Sequence, residues 1–83
     1  MNQAIHFLED EYLDQERQAI IFSALSQGNK LACVLSIVTL SQLFEEGEPL
    51  TIFNRYRWDI EEMAEKVINA QQDDAQGYYW LSK

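Results

Sequence analysis

The chain has 83 residues and a mass of 9.7 kDa, the size of one domain, and we predict a single domain over residues 1–83. Hydrophobic residues make up 47% of the sequence, a share typical of a folded protein and not of a disordered one. Fourteen acidic and six basic residues give a net charge of −8, which repels phosphate backbones and anionic lipids. We therefore expect neither a nucleic-acid partner nor a membrane partner.

The composition also limits cofactors and cellular location. One cysteine cannot form an internal disulfide, and one cysteine with one histidine cannot complete a structural zinc site. The apolar runs are shorter than the roughly 20 residues of a membrane span, and the first residues lack the basic character of a signal peptide. The acidic blocks match neither a calcium loop nor a helical metal motif. The sequence predicts a cytoplasmic protein with no metal and no cofactor.

The centre of the chain predicts a β-hairpin. Two β-prone apolar runs, Ala19–Ser26 and Leu31–Ile37, flank a short segment that contains Gly28 and Asn29. Gly-Asn suits a two-residue type II′ turn, because glycine adopts positive φ at the first central position. The register that follows pairs eight residues on one face, which we expect to be the core: Ser26 with Leu31, Ala24 with Cys33, Phe22 with Leu35 and Ile20 with Ile37.

The opposite face of the hairpin is mixed in polarity and carries Ile21, Leu25 and Val34. Either a helix or another chain covers part of it, or it is a weakly apolar exposed surface. Two short segments near the ends of the chain, Ala4–Leu8 and Gly77–Ser82, are predicted strands, since an isolated hairpin is marginal in water. Their pairing order is left open.

After the hairpin, the apolar residues recur with the period of a helix. Thr39 predicts the N-cap of a short helix that ends near Gly47. Pro49 predicts the first turn of a long helix that runs to about Gln71. The apolar residues of the long helix form one stripe that should pack on the hairpin: Phe53, Tyr56, Ile60, Met63, Ala64 and Val67.

These elements together predict an α+β fold. The predicted architecture is a small antiparallel sheet with a central β-hairpin, packed against one short and one long helix in about the order β-β-β-α-α-β.

Two residues that occur once each are candidates for chemistry. Cys33 lies in the middle of a predicted strand on the core face, where a free cysteine is typically a small packing residue. His6 lies on the first predicted strand, and no serine or threonine is placed to use it as a base. We assign no catalytic residue, and the sequence favours a protein that is not an enzyme.

The surface of the long helix carries a binding signal. Counting about 100° per residue from Ile60, Trp58 points nearly opposite the apolar stripe, beside Arg55. Arg57 and Glu61 are spaced to form an ion pair on the flank of the stripe. An exposed tryptophan beside arginine is enriched in interfaces, whereas packing under an end segment would hide the same side chain. The candidate binding residues are Trp58, Arg55, Arg57 and Glu61.

A set of residues spread over nearly the whole chain carries a family resemblance: Phe7, Tyr12-Leu13-Asp14, Ala19-Ile20-Ile21-Phe22, Ala24, Gly28, Cys33-Val34-Leu35-Ser36, Leu40, Phe44, Arg57 and Ile60-Glu61. In order and spacing, this set resembles a small bacterial family catalogued as domain of unknown function 1488. The chain departs from the family pattern at Tyr12, where tryptophan is common, and at Glu45, where glycine is common. The resemblance implies an uncharacterised cytoplasmic bacterial protein with a small α+β fold, and it supplies no activity.

Three hypotheses for function follow. The leading one is a non-enzymatic protein-interaction or regulatory module that binds another protein through the outer face of the long helix. An alternative is a self-associating module, a homodimer through the second sheet face with Ile21, Leu25 and Val34. A third is a small-molecule-binding protein or enzyme, with a pocket formed by Arg57, Glu61 and the aromatic end strand.

Overall fold

A computed structural model of the chain describes residues 5–82, so Ala4 of the first predicted strand lies outside the described residues. The described part confirms the predicted α+β class, since a five-stranded sheet packs against three helices. In chain order the elements are β1 (Ile5–Phe7), β2 (Tyr12–Asp14), β3 (Ala19–Ser26), β4 (Asn29–Ser36), α1 (Ile37–Leu43), α2 (Pro49–Arg55), α3 (Arg57–Asn69) and β5 (Tyr78–Trp80).

The central hairpin forms as predicted, but its register differs. Ser26 lies opposite Asn29, where the sequence analysis placed Leu31, so the predicted register is wrong by two residues. The loop consists of Gln27 and Gly28, whose φ values of 53° and 81° are typical of a type I′ turn. A slip of two residues preserves the alternation of side chains, so the face predicted to be the core remains the buried one.

The main core lies between that hairpin face and the helices. Phe22 of β3 and Phe53 of α2 meet near its centre, with ring centroids 5.0 Å apart in an edge-to-face arrangement. All three helices contribute buried side chains to this core: Leu40, Ile52, Phe53, Ile60, Ala64 and Ile68. The helices therefore pack on one face of the sheet.

Two short strands share one edge of β3. β1 pairs with the end of β3 near the hairpin loop, and β2 pairs with the opposite end. Between β1 and β2 the chain leaves this edge, and the loop there supplies hydrogen-bond partners for the backbone of Ser23. The Ser23 carbonyl accepts from the Leu8 N–H at 2.9 Å, and the Ser23 N–H donates to the Asp10 carboxylate at 3.0 Å. β2 was not predicted, because it lies inside an acidic block whose composition is typical of an exposed loop.

The first helix starts earlier than predicted. Ser36 is its N-cap, and the Ser36 hydroxyl accepts a hydrogen bond from the Thr39 N–H at 3.0 Å. The predicted N-cap at Thr39 is therefore wrong, and Ile37 begins α1 instead of extending the strand. α1 ends at Leu43, ahead of the predicted end near Gly47.

The predicted long helix is divided in two. Tyr56, with φ −110° and ψ 24°, separates α2 from α3, and α3 ends at Asn69 and not near Gln71. The Tyr56 ring stacks on Phe44 with a centroid distance of 4.7 Å. Neither proline nor glycine marks this break, so the sequence pattern could not show it. Among residues 5–82, no helix is long and apolar enough to cross a membrane.

The last strand makes the sheet mixed and not purely antiparallel. β5 runs parallel to β4, with Trp80 opposite Val34. The three helices between β4 and β5 return the chain to the end of the sheet at which β4 starts. Two parallel strands that lie side by side need a connection of this kind. Asp74 holds the entry to β5, because its carboxylate accepts from the N–H groups of Gln76 and Tyr78 and from the Trp80 indole N–H, at 2.8–2.9 Å.

The second face of the sheet has its own small cluster, formed by Ala19, Ile21 and Val34 with Tyr78 packed against it. No helix residue belongs to this cluster in the described part of the chain. Ile21 and Val34 are already buried within the single chain, whereas Leu25 is exposed. Of the residues predicted for a homodimer, only Leu25 therefore offers surface, and the homodimer itself stays a prediction.

The hairpin turn makes a clear prediction for stability. A Cβ at Gly28 would meet no atom within 4 Å, so Gly28→Ala adds only the strain of positive φ. We expect it to lower the free energy of unfolding by about 1 kcal/mol. In a domain of this size that corresponds to a fall in Tm of about 4–8 °C.

The matched variant in the same turn is Gln27→Asn, which should preserve or raise the Tm, because asparagine adopts positive φ more readily than glutamine. Thermal unfolding followed by circular dichroism measures both changes. An unchanged Tm for Gly28→Ala would contradict the assigned turn.

Candidate functional site

Trp58 lies in the first turn of α3 and is 80% exposed to solvent, the largest exposed fraction of any large hydrophobic side chain in residues 5–82. The exposure agrees with the outward direction predicted for Trp58, and no end segment within residues 5–82 covers the side chain. Ile60 and Ala64 occupy the inward face of α3, which leaves Trp58 on the opposite side.

The side chain of Arg57, the residue before Trp58, points toward Glu11 and is only 21% exposed. Its guanidinium donates to the Glu11 carboxylate at 2.5 Å and to the Asn54 side-chain oxygen at 2.7 Å, and it lies 5.1 Å from the centroid of the Phe53 ring. The predicted pair with Glu61 is present but longer, at 3.7 Å. Arg57 thus connects the loop before β2 to the junction of α2 and α3.

Glu11 is a site residue that the sequence analysis missed, because its partner lies 46 positions away along the chain. Burial opposes ionisation of Glu11, but the hydrogen bond and the charge of Arg57 prevail and hold the Glu11 pKa below its ordinary value. Its Oε1 atom is buried without a hydrogen-bond partner among the described residues. The ion pair is therefore tight but incompletely satisfied.

Arg55 also has an intramolecular partner. It forms an ion pair with Glu45, and the hydrogen bond from Arg55 lowers the Glu45 pKa. This pair joins the connection between α1 and α2 to the end of α2. Both arginines beside Trp58 are consequently matched by carboxylates of the same chain.

Trp58 separates two surface depressions. The first has a volume of about 380 Å³ and brings together all four predicted binding residues: it is lined by Asn54, Arg55, Arg57, Trp58 and Glu61. The aromatic end strand, which the sequence analysis placed beside Arg57 and Glu61, does not line it. The second depression has a volume of about 240 Å³ and lies between β1 and α3, lined by Ile5, Phe7, Trp58, Glu61, Glu62 and Glu65.

The charges around Trp58 are unbalanced toward the negative. Asp59, Glu62 and Glu65 form no ion pair with any of residues 5–82, whereas Arg55 and Arg57 are paired. The sequence does not reveal the second depression, because residues of β1 and α3, which are far apart along the chain, line it together. This side of the surface is suited to a cationic group.

The other residues considered for chemistry lie away from these depressions. Cys33 is fully buried, as predicted, and burial together with the charge of Asp10 raises its pKa to about 12, which is unsuitable for a nucleophile. His6 is exposed on β1. Within residues 5–82, no group of three or more histidine, cysteine, aspartate or glutamate residues is arranged to hold a metal ion.

Comparison with known proteins places this architecture in a family. Residues 5–81 match the family described as Protein of unknown function (DUF1488). The chain belongs to this family. Membership confirms the resemblance inferred from the sequence. The matched range includes every residue that lines the two depressions beside Trp58.

The relatives are bacterial proteins of similar length. The chain is 40% identical to the uncharacterized protein YrdB of Escherichia coli (strain K12), over 98% of this chain and 99% of the relative. It is 39% identical to YrdB of Shigella flexneri, with the same coverage. The crystal structure of a DUF1488 protein from Shewanella loihica PV-4 is similar with a TM-score of 0.91 and 34% identity, over 100% of this chain and 97% of that chain.

The Glu11–Arg57 pair predicts a pH-dependent stability. The lowered Glu11 pKa means that the pair stabilises the folded state above about pH 4.5, and that this contribution is lost as the pH falls through the folded-state pKa. Near neutral pH, Glu11→Gln should lower the free energy of unfolding by about 2 kcal/mol, between the values for exposed and fully buried pairs.

Urea unfolding at several pH values measures this difference in the free energy of unfolding. The difference should narrow as the pH falls through the lowered folded-state pKa of Glu11, where the wild-type carboxylate also becomes protonated. Glu16→Gln is the matched control, because Glu16 is exposed and has no ion pair within residues 5–82. An equal effect of the two substitutions would contradict the assigned role of Glu11.

The burial of Cys33 predicts an unreactive thiol. A maleimide should leave the folded protein unlabelled for as long as an exposed cysteine needs to react fully, and should label it completely in urea. Cys33→Ala, which should not react under either condition, controls for labelling of other groups. Rapid labelling of the folded protein would contradict the packing role.

Proposed function

We propose that this protein is a non-enzymatic protein-interaction or regulatory module of the bacterial cytoplasm, and that it binds its partner through the surface around Trp58. The observation that carries the proposal is the 80% exposure of the Trp58 side chain on a helix anchored in the core. Tryptophan is enriched among the residues that dominate binding energy, because its large rigid ring buries much area in a partner's pocket.

The geometry beside Trp58 supports a preformed binding surface. Ile60 and Ala64 anchor α3 in the main core, and Arg57 ties the start of the same helix to Glu11. A partner that binds here therefore orders few additional groups, which lowers the entropy cost of association. A small-molecule site has less support, because the guanidinium of Arg57 is directed at Glu11 and Asn54 of its own chain.

Self-association through the second sheet face is a second candidate. Within residues 5–82, the cluster on that face contains no helix residue, and three of its large side chains are substantially exposed: Tyr12, Leu25 and Trp80. Burial of such a patch between two copies is the usual origin of a symmetric dimer. Sedimentation over micromolar to millimolar concentrations tests it, and a monomer throughout this range would exclude the dimer.

The interaction proposal is tested by photo-crosslinking in living cells of the source bacterium. A photoreactive phenylalanine analogue at position 58 should give a discrete adduct with a partner protein. The same analogue at position 38 is the matched control, because Val38 is also an exposed apolar side chain but lies on α1. Identical adduct patterns from the two positions would contradict a partner surface at Trp58.

Trp58→Ala provides the quantitative measurement. Binding of the crosslinked partner should weaken at least about ten-fold, as for a residue that dominates an interface. The free energy of unfolding should change by no more than about 0.5 kcal/mol, since the side chain lies on the surface. Unchanged affinity at unchanged stability would overturn the proposal.

A further inference from the structure

We infer that the partner presents a basic segment, and that a lysine or arginine side chain of this segment occupies the depression between β1 and α3 beside Trp58. The inference rests on the proposed function and specifies the chemistry of the partner. It is carried by the combination of an apolar floor with a carboxylate rim, in a depression that no lysine or arginine among residues 5–82 lines.

The floor and one wall of the depression are apolar. Ile5 and Phe7 of β1 are partly buried against the main core, and Trp58 rises beside them from α3. Lysine and arginine carry aliphatic stems that pack on apolar surface while their charged heads stay in contact with water. A cation that follows such a stem also gains from the face of a tryptophan ring.

The rim is formed by carboxylates on the same side of α3 as Trp58. Glu61, Glu62 and Glu65 follow Trp58 by three, four and seven positions, spacings that place all four residues on one helix face. Glu62 and Glu65 form no ion pair within residues 5–82, and their like charges repel one another. A cationic head at the rim relieves this repulsion.

The first depression, which Arg55 and Arg57 line, does not favour an acidic partner. An anionic group bound there would have to compete with Glu11 for Arg57 and with Glu45 for Arg55. It would also approach a chain with a net charge of −8. Charge complementarity therefore selects a basic partner over an acidic one.

A bound metal ion is a weaker occupant than a side chain. The carboxylates of the rim are not among any group that is arranged to hold a metal within the described residues. The apolar floor of Ile5 and Phe7 would gain nothing from a bare ion, whereas it matches an aliphatic stem.

The experiment is selection from a phage-displayed library of random peptides on the immobilised full chain. Peptides that bind the Trp58→Ala variant equally well are discarded. The expected result is enrichment of lysine and arginine next to apolar residues in the remaining peptides. Enrichment of acidic or uncharged peptides would overturn the inference while leaving the interaction proposal intact.

A charge-matched pair of double variants then locates the binding site of an enriched peptide. Glu62→Gln with Glu65→Gln removes two charges at the rim, and Glu16→Gln with Glu46→Gln removes two exposed charges elsewhere. Fluorescence anisotropy at low salt should show affinity about five-fold weaker for the rim variant and nearly unchanged for the control, as expected for two exposed ion pairs. Equal losses of affinity in the two double variants would show that the effect depends on net charge alone, and would overturn the proposed binding site.

Replacement of the basic residues of the enriched peptide by glutamine should abolish the difference between the two double variants. A selection that yields no peptide dependent on Trp58 would also overturn the inference. The crosslinking from position 58 decides the interaction proposal separately, so the two failures are distinguishable. Thermal unfolding of every variant confirms that a lost signal reflects binding and not loss of the fold.

Discussion

The central hairpin is the constraint on which the other elements depend, because β3 is buried on both faces from Ala19 to Ala24. An 83-residue chain has few elements with which to cover such a strand. The three helices cover one face, β1 and β2 pair along one edge of β3, and the other face is covered by side chains of the sheet itself, such as Tyr78. The outward position of Trp58 on α3 follows from this arrangement, and so does the absence of helix residues from the cluster on the second sheet face within residues 5–82.

Arg57 determines the chemical character of the surface around Trp58. In the sequence, Arg55, Arg57 and Trp58 form a short basic-aromatic cluster. In the structure, Glu11 and Glu45 pair with the two arginines, whereas Asp59, Glu62 and Glu65 of α3 form no ion pair within residues 5–82. A partly buried ion pair such as that of Glu11 and Arg57 contributes modestly to stability, since desolvation offsets much of the attraction, but it ties the helix junction to the loop before β2. Under the proposed function, the negatively charged surface beside Trp58 is complementary to a basic partner.

The errors of the sequence analysis have physical causes. The hairpin register depended on whether Gln27 would accept positive φ, and pairing along the full length of the two strands outweighs that local cost. β2 is hidden in an acidic block because its pairing with β3, and not its composition, makes it a strand. The break at Tyr56 has no proline or glycine, and it arises where the ring stacks on Phe44. The parallel direction of β5 follows from how the helices cross the sheet, which no local pattern encodes.

The sequence by itself determined the α+β class, the hairpin and its core face, the buried Cys33 and the outward direction of Trp58. These features depend on the alternation of strands and the period of helices, which act over a few residues. Only the tertiary structure decided the contact of Glu11 with Arg57, the approach of Ile5 and Phe7 to Trp58 and the parallel position of β5. Such contacts join residues that are distant along the chain, and their geometry depends on how whole elements pack.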